Sequence, residues 1–377
     1  MATLGFLLST HQLMPNQIMP MTDKPGDPQI QPIEIVVYHG RDLDDWIEVA
    51  GVNLGPVHHP DHDLRWLRVL AQSMGHRPYL IEAVRQGRTV GLLPLAFVQS
   101  FLFGRFLVSL PYVNSAGVQT LNAEVGSRLA EAAARLTDEL DCRFLELRHE
   151  VPATAACLTE QMTAKVHMRL NLPATVGELR DGLKSKVRSQ VKKGETQGFE
   201  VRWGREELLA DFYDLFVRRM RDLGTPVYGR GLFRSILQEF SSEAEICCIR
   251  SGNTPVAAAL LIHGAGLTEV PSASSLSQYN PLNVNMFMYW QLLTRAVERG
   301  QKIFDFGRAT RDGNTFSFKK QWGAEPSPAV WQYYVRKGTC GDMRPSGKKT
   351  QALIRVWQHL PLVVTRLIGP YIVRGIP

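Results

Sequence analysis

The sequence predicts an α/β chain made of two successive copies of one domain, each a mixed central sheet flanked by helices. Three observations predict it. The chain has 377 residues, 44% hydrophobic and 21% charged, which is room for about two domains at a composition ordinary for a globular protein. A hairpin, a capped helix and a short strand occur in that order twice. The two hairpin turns lie about 165 positions apart and the two Phe-x-x-x-Arg strands about 160 apart. That spacing is too long for a solenoid repeat and fits a duplicated domain.

The elements follow in order. Gly5-Phe6-Leu7-Leu8 is too short for a signal-peptide core and has no basic residue before it. Residues 9–32 are rich in Pro, Gln and Asp, so 1–32 reads as a disordered leader. Residues 33–37 form a strand, and Trp66, Leu67, Val69 and Leu70 fall at helical spacing. A hairpin joins 78–84 to 89–98 through Arg85-Gln86-Gly87-Arg88. Asn122 caps a helix running to about Leu140, and 144–148 is a strand. These elements make an N-terminal domain over 33–170. The boundary falls near Leu172-Pro173, where Thr175 and Glu178 form a capping box. That helix is expected to run past Gly182 to Lys193 and stop at Gly194. Helices at 206–223 and 233–240 flank the loop 224–229. The second hairpin joins 246–249 to 256–262. Asn283 then caps a helix that stops at Gly300, and 304–308 is the matching strand. The C-terminal domain spans 171–340 and is expected to carry the chemistry. The longest apolar stretch, 90–103, is broken by Pro94 and Gln99 and is too short to cross a bilayer as a helix.

Charge narrows the function. With 43 Lys and Arg against 36 Asp and Glu, the net is +7, and it is local. The tail 341–377 holds six basic residues and one acid among large apolar side chains. Residues 180–193 hold six basic residues and one acid. Local charge of this kind suits an anionic substrate at the second domain and a membrane surface at the tail better than nucleic-acid coating. No Gly-x-x-x-x-Gly-Lys-[Ser/Thr] loop, Gly-x-Ser-x-Gly elbow or aromatic-interleaved basic array occurs. Five Cys, an odd number with Cys247 and Cys248 adjacent, fit a reducing compartment. The expected location is the cytoplasm.

Several side chains could carry chemistry. Lys184, Arg188 and Lys192 form a helical stripe beside the apolar stripe Leu183, Val187 and Val191, which would turn the cations toward an anion. The plainer reading is a solvated charged face. Phe318-Lys319-Lys320-Gln321-Trp322-Gly323 follows a strand end, where a lysine can stabilise an oxyanion. Arg308 shares its strand face with Phe304 and Phe306 and could orient a phosphate or carboxylate; Asp305 faces the other way and is a candidate base. Ser272 and Ser274 would line a cleft if the strand from Leu267 continues past Pro271, and Tyr228 would gate it. His58-His59-Pro60-Asp61-His62 looks like a metal cluster, but Pro60 breaks helical presentation and no distant ligand is evident, so no metal site is expected. Cys247 and Cys248 alternate across one strand and read as packing.

Three blocks carry a family resemblance. They are 90–100 with Phe103-Gly104-Arg105 and Ser109-Leu110-Pro111-Tyr112; 219–228; and Phe304-Asp305-Phe306-Gly307-Arg308 with 313–323. Together they resemble the FemAB-related proteins of the exosortase/PEP-CTERM systems of Gram-negative bacteria, over about 33–340. The resemblance implies two tandem GNAT-like (acyl-CoA N-acyltransferase-like) domains and acyl transfer to an amine or hydroxyl. It implies aminoacyl-tRNA or acyl-CoA as donor co-substrate, with no bound cofactor. The implied acceptor is an anionic glycan, nucleotide-sugar or lipid-linked precursor of the cell envelope or exopolysaccharide. It maps a reactive-centre Phe-Lys pair onto Phe318 and Lys319 and assigns anion binding to Lys184 and Arg188, with Trp322 beside the pair. One departure matters: no [Gln/Arg]-x-x-Gly-x-[Gly/Ala] run follows either hairpin, and Gly264-Ala265-Gly266 is the nearest. Two alternatives stand beside this reading: an acyl-CoA-dependent acetyltransferase, and a non-catalytic scaffold held at the inner membrane by 341–377.

Overall fold

The structure is a computed structural model, and it describes residues 32–40, 59–339 and 348–376, with only the backbone of 348–350. The leader expected at 1–32 lies almost wholly outside the described residues. Two seven-stranded sheets dominate. The first has the order β1 (Glu34–His39), β2 (Arg77–Arg85), β3 (Arg88–Ser100), β4 (Gly104–Val108), β5 (Phe144–His149), β14 (Val330–Val335), β6 (Glu160–Met162). The second, read in the matching direction, has the order β8 (Glu200–Gly204), β9 (Ala244–Ser251), β10 (Thr254–Gly264), β11 (Leu267–Ser275), β12 (Ile303–Thr310), β7 (Lys165–Asn171), β13 (Glu325–Pro328). Position by position the two sheets have the same strand directions. The one parallel pair is β4–β5 in the first and β11–β12 in the second. A crossover helix serves each pair, α2 (Ala123–Glu139) and α7 (Val284–Glu298). The duplication read from the spacing is therefore visible as topology.

The last two strands of each sheet are exchanged. β6 pairs in the first sheet, and the chain then crosses so that β7 pairs in the second. Later β13 pairs beside β7 in the second sheet, and β14 returns to pair with β5 in the first. Thus β7 lies before the division expected at Leu172-Pro173 yet belongs to the second sheet. β14 lies within 171–340 yet belongs to the first.

Local signals account for most elements. The first hairpin turns on Gln86 and Gly87, both with positive φ (54° and 69°), the conformation that matches the twist of paired strands. Trp66, Leu67, Val69 and Leu70 form the buried face of α1 (Arg65–Met74). Asn122 Oδ1 accepts the Val125 N–H at 3.1 Å, and the Thr175–Glu178 box makes both of its hydrogen bonds. The helix expected from Thr175 to Lys193 is broken. α3 (Val176–Gly182) stops, Leu183 and Lys184 are extended (ψ 140° and 144°), and α4 (Ser185–Glu195) begins. The break lets Leu183 turn into the core beside Leu179, Val187 and Val191, at a site where Gly182 already weakens the helix. Asn283 does start α7, but its backbone is left-handed and its side chain makes no cap.

Sheet two divides two cores. Cys248 faces the core built from α1, α5 (Leu209–Asp222), α6 (Arg230–Glu239) and the inner face of the first sheet. Cys247 faces the core under α3, α4 and α7. Burial pushes both thiols up, Cys248 to about 11, so neither is a ready nucleophile. The tail forms α9 (Lys348–His359) and α10 (Leu362–Val373), which pack on α5. Among the described residues no helix is long and apolar enough to cross a membrane.

Candidate active site

Two backbone irregularities build the site. β11 and β12 pair only from Leu267↔Ile303 to Glu269↔Asp305 and then part. At that point Gly307 takes φ 75° and the β12 ladder to β7 slips between Asp305 and Arg308. The slip corrects the expected alternation. Phe304 and Phe306 pack edge to face in the core, 4.7 Å apart, while Arg308 is turned off their face and joins the polar side with Asp305. From the first sheet, the turn after β4 holds Leu110 and Tyr112 left-handed (φ 52° and 73°) around Pro111. Such non-glycine strain costs ~1–3 kcal/mol per residue and is retained where the surroundings demand it. Here it delivers Tyr112, Val113 and Asn114 to the gap.

The gap is a cavity of about 250 Å³ between the two sheets, reached by residues from both, including Asp61, Asn114, Arg148, Tyr228, Glu269, Arg308 and Trp331. One side is cationic. Arg148 and Arg308 both lie over the Trp331 ring, at 4.2 and 3.6 Å. Arg148 is spent on Glu146 and the Val113 carbonyl. Arg308 donates from Nε to Asn114 Oδ1 at 3.0 Å. Its terminal nitrogens have no hydrogen-bond partner among the described residues, so the fork is free to bind an anion.

The other side is acidic. Asp61 Oδ2 accepts the N–H groups of Asn114 (2.8 Å) and Ser115 (3.0 Å). Glu269 Oε1 accepts from Asn114 Nδ2 at 2.7 Å, and its buried Oε2 has no hydrogen-bond partner among the described residues. Burial and the neighbouring Asp61 push the Glu269 pKa well up from the ordinary carboxylate value. His59 Nε2 lies 3.4 Å from Asp305 Oδ2 and its Nδ1 lies 3.5 Å from Asp61 Oδ2. Burial would lower the His59 pKa, but Asp61, Glu269 and Asp305 together carry it up to about 9. The Asp61 N–H also points at Nδ1 (3.1 Å), which only the neutral ring accepts, so backbone and carboxylate compete for that nitrogen.

Asp305 is engaged on both oxygens. Oδ1 accepts the Gly307 N–H (2.6 Å) and Oδ2 accepts from Arg169 Nε (2.7 Å). Burial alone would raise its pKa, but His59, Arg169 and His167 hold it well below the usual carboxylate range. It is an anchor more than a proton acceptor. Lys319, on α8 (Asn314–Gln321), is buried and donates to the carbonyls of Gly307 and Arg308, each at 3.0 Å. Burial lowers its pKa to about 8. Gly307 leaves a gap beside it: a Cβ there would sit 3.6 Å from Asn114 Nδ2 and 3.9 Å from Lys319 Nζ. Two donors, Asn114 Nδ2 and Lys319 Nζ, and the Val270 carbonyl (3.9 Å from the same Cβ) border this one small space, and each donor is bonded to the protein there.

Of the residues singled out from sequence, the structure brings together Arg308, Asp305, Lys319 and Tyr228. The last stacks on Phe216 and meets Tyr112 edge to face at the cavity wall. Phe318 turns away to pack edge-on against Tyr289 at 5.1 Å, and Trp322 is buried beside the same tyrosine. The strand does continue past Pro271, but Pro271, and neither Ser272 nor Ser274, lines the cavity. Lys184 and Arg188 are exposed on and before α4, away from the cavity lining. Sequence reasoning missed Asn114, Arg148, Glu269 and Trp331. Glu269 carried a signal, a lone acid within the apolar strand Leu267-Thr268-Glu269-Val270. It also supplies the distant partner that the His59-Pro60-Asp61 segment was expected to lack: His59, Asp61 and Glu269 offer donor atoms within 4.8 Å of one another, close enough to hold a cation.

Comparison with known proteins fits this geometry. Residues 182–320 match the acetyltransferase (GNAT) domain family. FemX superposes with TM-score 0.61 at 14% identity, covering 86% of this chain and 100% of FemX. A tandem GNAT protein from the clavulanic acid biosynthesis pathway gives 0.52 at 13%, covering 82% and 100%. L-PGS from Bacillus licheniformis gives 0.51 at 13%, covering 87% and 96%. No curated protein matches the sequence. The fold is a tandem GNAT-like one, its GNAT domain match lies within 182–320, and the chain is an acyltransferase.

Proposed function

We propose that the cavity transfers an aminoacyl or acyl group to the amine, or hydroxyl, of an anionic glycan precursor in envelope or exopolysaccharide synthesis, in the manner of the FemAB-related proteins of exosortase/PEP-CTERM systems. The observation that carries it is the opposition across one cavity of a free Arg308 fork and the buried Asp61–Glu269 carboxyl pair, with Lys319 at the Gly307 gap. Arg308 binds the acceptor's phosphate or carboxylate. The acceptor nitrogen attacks the donor carbonyl, forming the new C–N bond, and its proton passes to a carboxylate of the pair. Lys319 and Asn114 hold the oxygen that gains charge. The pair then returns a proton to the departing donor oxygen or sulfur as the old acyl bond breaks.

An aminoacyl-tRNA donor is the better fit. Gly264-Ala265-Gly266 is a plain hairpin turn, with Ala265 and Gly266 left-handed. The segment before α7 is a Pro281-containing 3-10 turn without glycine. Neither offers the backbone cradle that a coenzyme A pyrophosphate uses. The exposed cations Lys184, Arg188 and Lys192 supply a surface for a polyanion.

The test is transfer of labelled amino acid from charged tRNA, against labelled acetyl from acetyl-CoA, onto an amino-bearing nucleotide sugar. The proposal expects product in the first mixture and a loss of 10²-fold or more in Glu269→Gln. Product from acetyl-CoA alone would reverse the donor assignment. Full activity in Glu269→Gln would remove the carboxyl pair from the mechanism, and an inert parent with every donor would favour the scaffold.

A further inference from the structure

A second surface is not explained by acyl transfer. The turn between β3 and β4 carries Phe101, fully exposed, and Leu102, 72% exposed. The end of α10 abuts this turn: a Cβ on Gly375 would fall 2.4 Å from Ser100 Oγ and 3.4 Å from Phe103. Along α10, Val363, Leu367 and Tyr371 repeat every fourth residue and are 64–71% exposed, while the opposite face packs on Val227 through Gly369. Arg374 closes the stripe, its guanidinium 5.3 Å from the Tyr371 ring. Residues 343–377 contain six Lys or Arg and no Asp or Glu.

We infer that the 101–102 turn and the outer face of α10 form a docking surface for an anionic lipid bilayer. Exposed aromatic and aliphatic side chains with Arg374 at their end, and with Arg366 on the same helix paired to Asp214 at 2.6 Å, match the acyl boundary and the phosphate layer of such a bilayer. A second copy is disfavoured by the same charge, because a self-complementary contact would set cation against cation. A protein partner would have to cover both a projecting turn and a helix stripe, whereas a bilayer covers both at once. This inference does not depend on the acyltransferase mechanism. The surface is, however, linked to the cavity: Tyr112, in its wall, donates its hydroxyl to the Val373 carbonyl at 3.3 Å.

The full chain is co-sedimented with vesicles of phosphatidylcholine alone and of phosphatidylcholine with phosphatidylglycerol. Binding is expected to the second, to fall with added salt, and to drop at least tenfold in Phe101→Ser/Leu102→Ser and in Leu367→Ser/Tyr371→Ser. These residues are exposed, so both variants should keep the parent's melting temperature, and acyl transfer to a water-soluble acceptor should stay unchanged. Equal binding by parent and variants, or none by the parent, overturns the inference. A dimer in light scattering that the variants lose, with vesicles ignored, assigns the surface to a second copy and overturns it as well.

Discussion

Lys319 should leave a pH signature of its own. In the fold its pKa is about 8, against the ordinary 10.5. Below pH 8 it is charged in both states, and the buried charge costs stability, at most ~3 kcal/mol by linkage. Between pH 8 and 10.5 the unfolded chain still holds the proton that the fold has released, so this contribution to stability rises with pH across that window. Catalysis should run the other way, because only the ammonium can hold a developing oxyanion. Turnover of the parent should fall as pH rises through about 8. Lys319→Met should lose ~10²–10³ in kcat and lose that limb. A parent profile flat from pH 7 to 9.5 would remove the lysine from the reaction. Gly307→Ala separates site from scaffold in a different way. It forces a Cβ into the left-handed region and into the donor gap. The strain is ~1–2 kcal/mol, so a modest drop in melting temperature should accompany a much larger loss of kcat.

At the scale of elements, docking of the tail depends on close backbone approach. Gly369 has no room for a side chain: a Cβ would sit 2.6 Å from Val227 Cγ1 and 2.9 Å from the Val227 nitrogen. Backbone cannot give way cheaply, so Gly369→Val should destabilise by ~1–3 kcal/mol and loosen α10. Hydrogen exchange at 362–373 should rise while that of α7 stays unchanged; equal protection in parent and variant would place the strain elsewhere. Elements of this kind divide by what the sequence can express. The hairpin turns, the Asn122 cap and the Thr175–Glu178 box depend on residues within four positions, and they were legible. The break at Leu183 was not, because it is decided by a core that accepts Leu183 only if the helix stops. The site divides in the same way. Lys319 and Arg308 stood out by charge near a strand end. Asp61, Asn114, Arg148 and Glu269 meet only through sheet pairing and a left-handed turn, and no local pattern records that meeting. Arg308 was assigned to the wrong face because alternation holds only until Gly307 interrupts it.

For the whole molecule, the exchanged strands couple the two halves. β7 lies between β12 and β13 in the second sheet, and β14 lies between β5 and β6 in the first. Each sheet is thus completed by chain that runs on directly into the other. The core that holds Trp66, Leu80 and Leu92 from the first half also holds Phe212, Ile246 and Leu260 from the second. Neither half can keep its buried face without the other, and cutting between β6 and β7 would strip the first sheet of β14 and bare its edge. Residues 33–377 are accordingly one unit by contact. Calorimetry of the full chain should show one transition with calorimetric and van't Hoff enthalpies in agreement. A fragment ending at residue 163 should lack near-ultraviolet circular dichroism and bind a hydrophobic dye. Two resolved transitions, or a fragment with native tertiary signal, would mean that the halves fold as independent domains and that the cavity between them is assembled by docking.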